Sequence, residues 1–246
     1  MIQEKKAVFF DIDGTLINIM KGQTQIAPAV KGAIRALRAA GHCTFIASGR
    51  PYAYLDPELV QQDLFDGYVL MNGAVVLLGD KTIYKQMLPQ KTVEQIAALS
   101  EQHGVEYILE GPRNVYLKPE YKLTENFYRS IDVDVTQFVR DYDLAKVPVA
   151  KMEFASEDPG GHGLFDKLLA WPGLTGLMDP YHKKNMELYA SDVTKGSGIL
   201  HALAYLGIPV ERSFAFGDGH MHGDCRFRRG ICGGRRPGSQ PGAACV

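Results

Sequence analysis

Ala7-Val8-Phe9-Phe10 places four apolar residues in a row and runs directly into Asp11-Ile12-Asp13-Gly14-Thr15. An apolar run without alternation belongs to a strand covered on both faces, the usual state of a central strand in a parallel sheet. Side chains alternate along a strand, so Asp11 and Asp13 share a side and can converge where the strand gives way to its loop. That is the carboxyl end of the sheet, where open α/β sheets bind ligands. Gly14 permits a sharp turn there, and Thr15 offers a hydroxyl and an amide to an anion. Two carboxylates so close repel unless a cation joins them, and a hard cation with oxygen ligands, magnesium, is the economical answer. A calcium loop is excluded by spacing, because the glycine follows Asp13 directly and Gly22 stands where the closing glutamate belongs.

A chain of 246 residues, 46% hydrophobic and 22% charged, has enough material for one large core or two modest domains. Its net charge of −1 provides no global field for nucleic acid or an acidic membrane, so anion recognition has to be local. The apolar run before Asp11 is too short for a signal-peptide core, and no apolar run reaches membrane-spanning length. Four cysteines without paired spacing in the body of the chain fit a reducing compartment, and the expected location is cytoplasmic.

Val30, Ile34, Leu37 and Ala40 recur at helical spacing after Ala27-Pro28 and stop at Gly41. A second strand, His42 to Ala47, ends in Ser48-Gly49-Arg50-Pro51. This turn suits a phosphoryl oxygen held by a hydroxyl and an amide, and equally a plain strand-to-helix turn with Ser48 as a cap. Asn72-Gly73 lies between the apolar runs Tyr68–Met71 and Ala74–Leu78 and predicts a hairpin or turn. From about Gly79 to Tyr189, helix and strand signals alternate over roughly a hundred residues, enough for a domain of its own. Within it Lys151 and Glu153 share a strand face, which would either roof a catalytic pocket or stand in solvent. Asp192-Val193-Thr194-Lys195-Gly196 then opens a helix marked by Ile199, Leu200, Leu203 and Leu206 and closed by Gly207. A lysine there is ordinarily a solvated charge. A last apolar strand, Ser213-Phe214-Ala215-Phe216, ends in Gly217-Asp218-Gly219.

Asp11-Ile12-Asp13-Gly14-Thr15, followed in order by Ser48-Gly49, Lys195 and Gly217-Asp218-Gly219, resembles the four motifs of the haloacid dehalogenase superfamily of phosphohydrolases. An insertion between the second motif and the lysine is similar to the α/β cap of the superfamily's Cof-like class IIB. The resemblance implies a three-layer, Rossmann-like α/β core with a parallel sheet, over 1–79 and 190–219, and an inserted cap over 80–189 that carries substrate specificity. It implies that Asp11 attacks phosphorus and that Asp13 protonates the leaving oxygen and then activates water. Thr15, Ser48, Gly49 and Lys195 would hold the phosphoryl group, while Asp11, the Asp13 carbonyl and Asp218 would hold Mg2+. The activity so implied is magnesium-dependent hydrolysis of a small phosphorylated metabolite, a sugar phosphate for preference, with neither nucleic acid nor membrane as partner. Two other readings are a phosphohexomutase-type phosphotransferase and a phosphate-binding protein with little turnover.

The last reading has its basis in the tail. The family's fourth motif continues as Asn-Asp after one residue, whereas this chain continues as His220-Met221-His222-Gly223-Asp224. From His220 to Val246 arginine, glycine, proline and cysteine dominate and no periodicity survives, the pattern of out-of-frame translation of a GC-rich gene. A zinc site from His220, His222, Cys225 and Cys232 is the alternative, with spacing unlike the usual structural sites.

Overall fold

The computed structural model describes residues 4–18, 22–60 and 63–217. The chain divides into two compact units. One takes the chain up to Arg50, Leu55–Tyr84 and the chain from Thr194, and the other takes Pro51–Tyr54 and Lys85–Val193.

The first unit holds a six-stranded sheet. Its strands are β1 (Ala7–Phe10), β2 (Cys43–Ala47), β3 (Gly67–Leu70), β4 (Val75–Leu78), β5 (Lys81–Lys85) and β11 (Ser213–Phe216), in the spatial order β11-β1-β2-β3-β4-β5. β1 pairs in parallel with β11 and β2, and β2 with β3. Burial of all four β1 residues follows from this central place. Phe9 packs on Phe45 and Phe10 stacks on Phe216, with ring centroids 5.1 and 5.3 Å apart. Truncating either phenylalanine to alanine is expected to cost about 3–5 kcal/mol. The sheet is mixed rather than wholly parallel: β4 returns antiparallel to β3 across the Asn72-Gly73 turn. Helix α1 (Pro28–Ala39) begins with the predicted proline and ends before Gly41, which adopts a φ of 84°. Helix α5 (Lys195–Leu206) places Ile199, Ala202 and Leu203 against Ala7, Phe9, Phe45, Ala47 and Val69 on one sheet face.

The second unit is a five-stranded sheet of β6 (Glu106–Glu110), β7 (Val115–Leu117), β8 (Lys151–Ala155), β9 (Leu174–Met178) and β10 (Asn185–Ala190), in the order β7-β6-β8-β10-β9. All of its pairings are antiparallel. Alternation decides the faces. Tyr107, Leu109, Met152, Phe154, Met186 and Leu188 pack with helices α2 (Gln90–Gln102) and α4 (Leu164–Leu169). Ile108, Val115 and Leu117 pack on the other side with Tyr128 of helix α3 (Lys122–Ser130) and with Tyr54. Leu188, close to the expected end of the insertion, is a residue of β10, paired with Met152 of β8.

Candidate functional site

The carboxyl end of β1 gathers the chemistry of the first unit. Asp11 extends the pairing of β1, its amide donating to the Phe216 carbonyl at 2.8 Å. Its Oδ1 accepts from the Ile12 amide and its Oδ2 from Lys195 Nζ, both at 2.8 Å. Aspartate and lysine lie 184 residues apart in sequence. The lysine is placed by the start of α5, where Thr194 and Ser197 form a reciprocal capping box: each side-chain oxygen accepts the other's amide at 2.9 Å. Lys195 is the first residue inside that helix, so its ammonium adds to the positive end of the helix dipole.

What lets α5 come so close is a pair of glycines, Gly73 of the expected turn and Gly198, which carries no signal of its own in the sequence. A Cβ on Gly73 would lie 2.0 Å from the Thr194 carbonyl oxygen, and one on Gly198 would lie 2.7 Å from Gly73 Cα. The Asn72-Gly73 turn is therefore the seat of the lysine helix as well as a hairpin. Asn72, at a φ of 56°, also backs the second motif. Its amide donates to the Ser48 carbonyl at 3.2 Å, and its Oδ1 stands 2.9 Å from where a Gly49 Cβ would be. A side chain at position 49 would have to displace the Asn72 amide group.

Ser48 is buried at the end of β2, its amide donating to the Val69 carbonyl and its Oγ accepting from the Arg50 amide at 3.2 Å. The serine thus closes a short turn of its own. Arg50, not among the expected site residues, forks onto Asp13: Nη2 donates to Oδ1 at 2.6 Å and Nε to Oδ2 at 3.0 Å. Its sequence signal was a cation directly after Ser48-Gly49. Gly14, at a φ of 79°, turns the chain, and the Thr15 amide closes on the Ile12 carbonyl at 3.2 Å. What Thr15 can bring to an anion is thus its hydroxyl, rather than hydroxyl and amide together.

Asp218, expected as a metal ligand, and the whole tail from His220 lie outside the described residues. Gly217 is described, and a Cβ there would be 3.6 Å from Asp11 Cβ, so the fourth motif starts beside the first. Among the described residues no three His, Cys, Asp or Glu side chains gather as a metal group. The donors present, the Asp11 carboxylate and the backbone beside it, are oxygens of the type a hard cation takes, so they fit magnesium in kind.

In the second unit the face carrying Lys151 and Glu153 is not solvated. Lys151 is 2% exposed, with its Nζ 2.6 Å from Glu153 Oε1 and 3.2 Å from both Glu110 Oε2 and Glu187 Oε2. The Tyr128 hydroxyl donates to Glu153. Burial works against the lysine's charge, but the three carboxylates hold its pKa well above the ordinary value. Burial pushes the Glu110 carboxyl well up, while the lysine and Tyr128 keep Glu153 low in spite of burial. Glu153 and Glu187 also edge a cavity of about 190 Å3 with Thr124, Tyr128 and Asp179.

A family model of haloacid dehalogenase-like hydrolases matches residues 8–221. The chain is 26% identical over 224 residues to the 5-amino-6-(5-phospho-D-ribitylamino)uracil phosphatase YitU of Bacillus subtilis (strain 168), spanning 86% of this chain and 79% of that protein. It superposes on the sugar phosphatase BT4131, of subclass IIB of that superfamily, with a TM-score of 0.69 and 32% identity, over 87% of this chain and 81% of the other. A structure described as a member of a phosphoryl-transfer superfamily with a trigonal-bipyramidal intermediate gives 0.70 and 31%, over 88% and 81%.

Proposed function

The chain belongs to the haloacid dehalogenase-like hydrolases, in their Cof-like branch, and is a phosphoric monoester hydrolase; within that class we propose that it cleaves small phosphate esters, sugar phosphates for preference, through an aspartyl-phosphate on Asp11. The contact between Lys195 and Asp11 carries this reading, because it joins the first and third motifs at the carboxyl end of the sheet. The preference for sugar phosphates draws support from the likeness to a protein that is itself a sugar phosphatase.

In the first half of the reaction an Asp11 oxygen bonds to phosphorus, the ester P–O bond breaks, and the leaving oxygen takes a proton from Asp13. In the second half Asp13 takes a proton from water as its oxygen attacks the phosphorus, and Asp11 is released with free phosphate. Lys195 orients Asp11 and opposes the charge of the phosphoryl oxygens, where a fixed cation near low-dielectric walls counts most. The Thr15 hydroxyl, Ser48 Oγ and the Gly49 amide hold those oxygens. Asp11 and the Asp13 carbonyl, with Asp218, would hold Mg2+, which supplies charge neutralisation to the transferring group when bound.

Phosphate release from a panel of sugar phosphates, with magnesium and with excess chelator, tests this. Release that depends on magnesium and favours sugar phosphates is expected. Absence of release from every ester, at substrate concentrations that saturate binding, would leave a phosphate-binding protein instead.

A further inference from the structure

We propose that Arg50 is a positioning residue for Asp13, aiming its carboxyl at the leaving oxygen. The inference rests on the reading of Asp13 as proton donor. Asp13 has a side chain 56% exposed, and an aspartate so open to solvent has several rotamers within reach. The guanidinium fork removes that freedom. Two parallel N–H donors, at 2.6 and 3.0 Å, fix both the direction and the plane of the carboxyl group. The arginine is itself held, with its side chain 21% exposed, its amide on Ser48 Oγ and its carbonyl accepting from the Met71 amide at 3.2 Å. Ser48-Gly49-Arg50 thus has two duties in one turn: the first two residues meet the phosphoryl group and the third aims the acid.

The fork, with both oxygens accepting, is the arrangement of the ionised carboxyl; in the first half-reaction the protonated carboxyl turns one oxygen to the substrate, and its proton passes to the leaving oxygen as the ester bond breaks. Arg50 can keep its hold on the second oxygen throughout, while the first turns from guanidinium to substrate. The benefit is therefore confined to esters whose leaving oxygen needs the proton. A sugar alkoxide does. A p-nitrophenolate, stable as an anion, departs without it.

This dependence on the leaving group is what the experiment reads. Arg50→Lys keeps a charge but loses the fork, and Arg50→Ala loses both; each is assayed with p-nitrophenyl phosphate and with the best sugar phosphate of the panel. For the sugar phosphate kcat/KM should fall by about 10- to 100-fold, and for p-nitrophenyl phosphate by no more than about threefold. Added guanidinium chloride at millimolar concentration should restore part of the loss in Arg50→Ala, and for the sugar phosphate alone. In an Asp13→Asn background Arg50→Lys should add nothing to the loss. Equal losses toward both esters would mean that Arg50 serves the phosphate or the fold, and would overturn the proposal, as would no loss toward either. A parent protein that cleaves neither ester overturns the phosphatase reading and this one together. A parent that cleaves both, with variants indifferent to the leaving group, overturns only the role of Arg50.

Discussion

Gly198 and Gly73 meet backbone to backbone: a Cβ on Gly198 would stand 2.7 Å from Gly73 Cα and 2.6 Å from Val69 Cγ1. The first turn of α5 rests on this contact, and that turn carries Lys195 to Asp11. Gly198→Ala must push the helix off its seat or strain both backbones, at an expected cost of about 1–3 kcal/mol. A shift of the lysine by about 1 Å is enough to lower turnover about 100-fold. Thermal melting and kcat should therefore fall together, and a variant matching the parent in both would show that the lysine does not depend on this contact.

In the proposed mechanism Asp11→Asn replaces the nucleophile with an amide that cannot attack phosphorus. Turnover should drop by at least about 1000-fold while substrate still binds. Acid quenching during turnover should trap a phosphorylated parent and an unphosphorylated variant. Activity within tenfold of the parent would exclude an aspartyl-phosphate on this residue.

The oxygen donors proposed to hold a metal at Asp11 give a prediction about metal dependence. Magnesium should support turnover and calcium should inhibit it, because calcium takes more ligands and looser geometry than an in-line attack tolerates. Titration calorimetry on the apo protein should show magnesium binding that Asp11→Asn weakens. Full activity in excess chelator is the contrary result.

The buried cluster of the second unit gives a prediction with a defined pH sense. Glu110 has its folded pKa raised far above the usual 4.5, so its contribution to stability is complete below that value and is lost as pH rises toward the folded one. Glu110→Gln, which cannot ionise, should gain on the parent steadily from about pH 4.5 upward. Lys151, with its pKa raised above 10.5, keeps its whole contribution at neutral pH. Lys151→Met leaves Glu153 and Glu187 without their cation and should cost about 3–5 kcal/mol. Melting curves of the two variants between pH 4 and 8 would decide; a difference between Glu110→Gln and parent that does not change with pH would mean the carboxyl titrates normally.

The sequence made the first unit legible where local chemistry and periodicity agree. The buried run Ala7–Phe10, the proline and glycine bounds of α1, and the start and stop of α5 each stand where the pattern puts them. What stayed hidden depended on partners remote in the chain. The contact of Arg50 with Asp13 shows only once the turn after β2 comes beside β1, and Gly198 reads as an ordinary helix glycine until Gly73 packs against it. Lys151 and Glu153 show how alternation assigns a face but not what covers it: a strand face that reads either as a pocket roof or as solvated holds a buried lysine once Glu110 of β6 and Glu187 of β10 flank it. β9 and β5, of mixed polarity and five residues each, carry too weak an alternation to be distinguished from loop.

The fourth motif supplies the last prediction. At His222 this chain lacks the aspartate that the superfamily's pattern carries there, and Asp224 comes two residues later, beside Gly223. Loss of a carboxylate that orients a metal or its waters typically costs about 10- to 100-fold in affinity or activity. The described sheet meanwhile has β11 at its edge, with Phe216 39% exposed at the strand's end. A chain whose residues after Gly219 are rebuilt to the superfamily's pattern should gain about 10- to 100-fold in turnover through the restored carboxylate. It should also melt higher, because a strand laid beside β11 and a helix over it would bury that edge. Equal turnover and equal melting temperature in the two chains would refute the out-of-frame origin of the tail and make His220, His222 or Asp224 residues of the site in their own right.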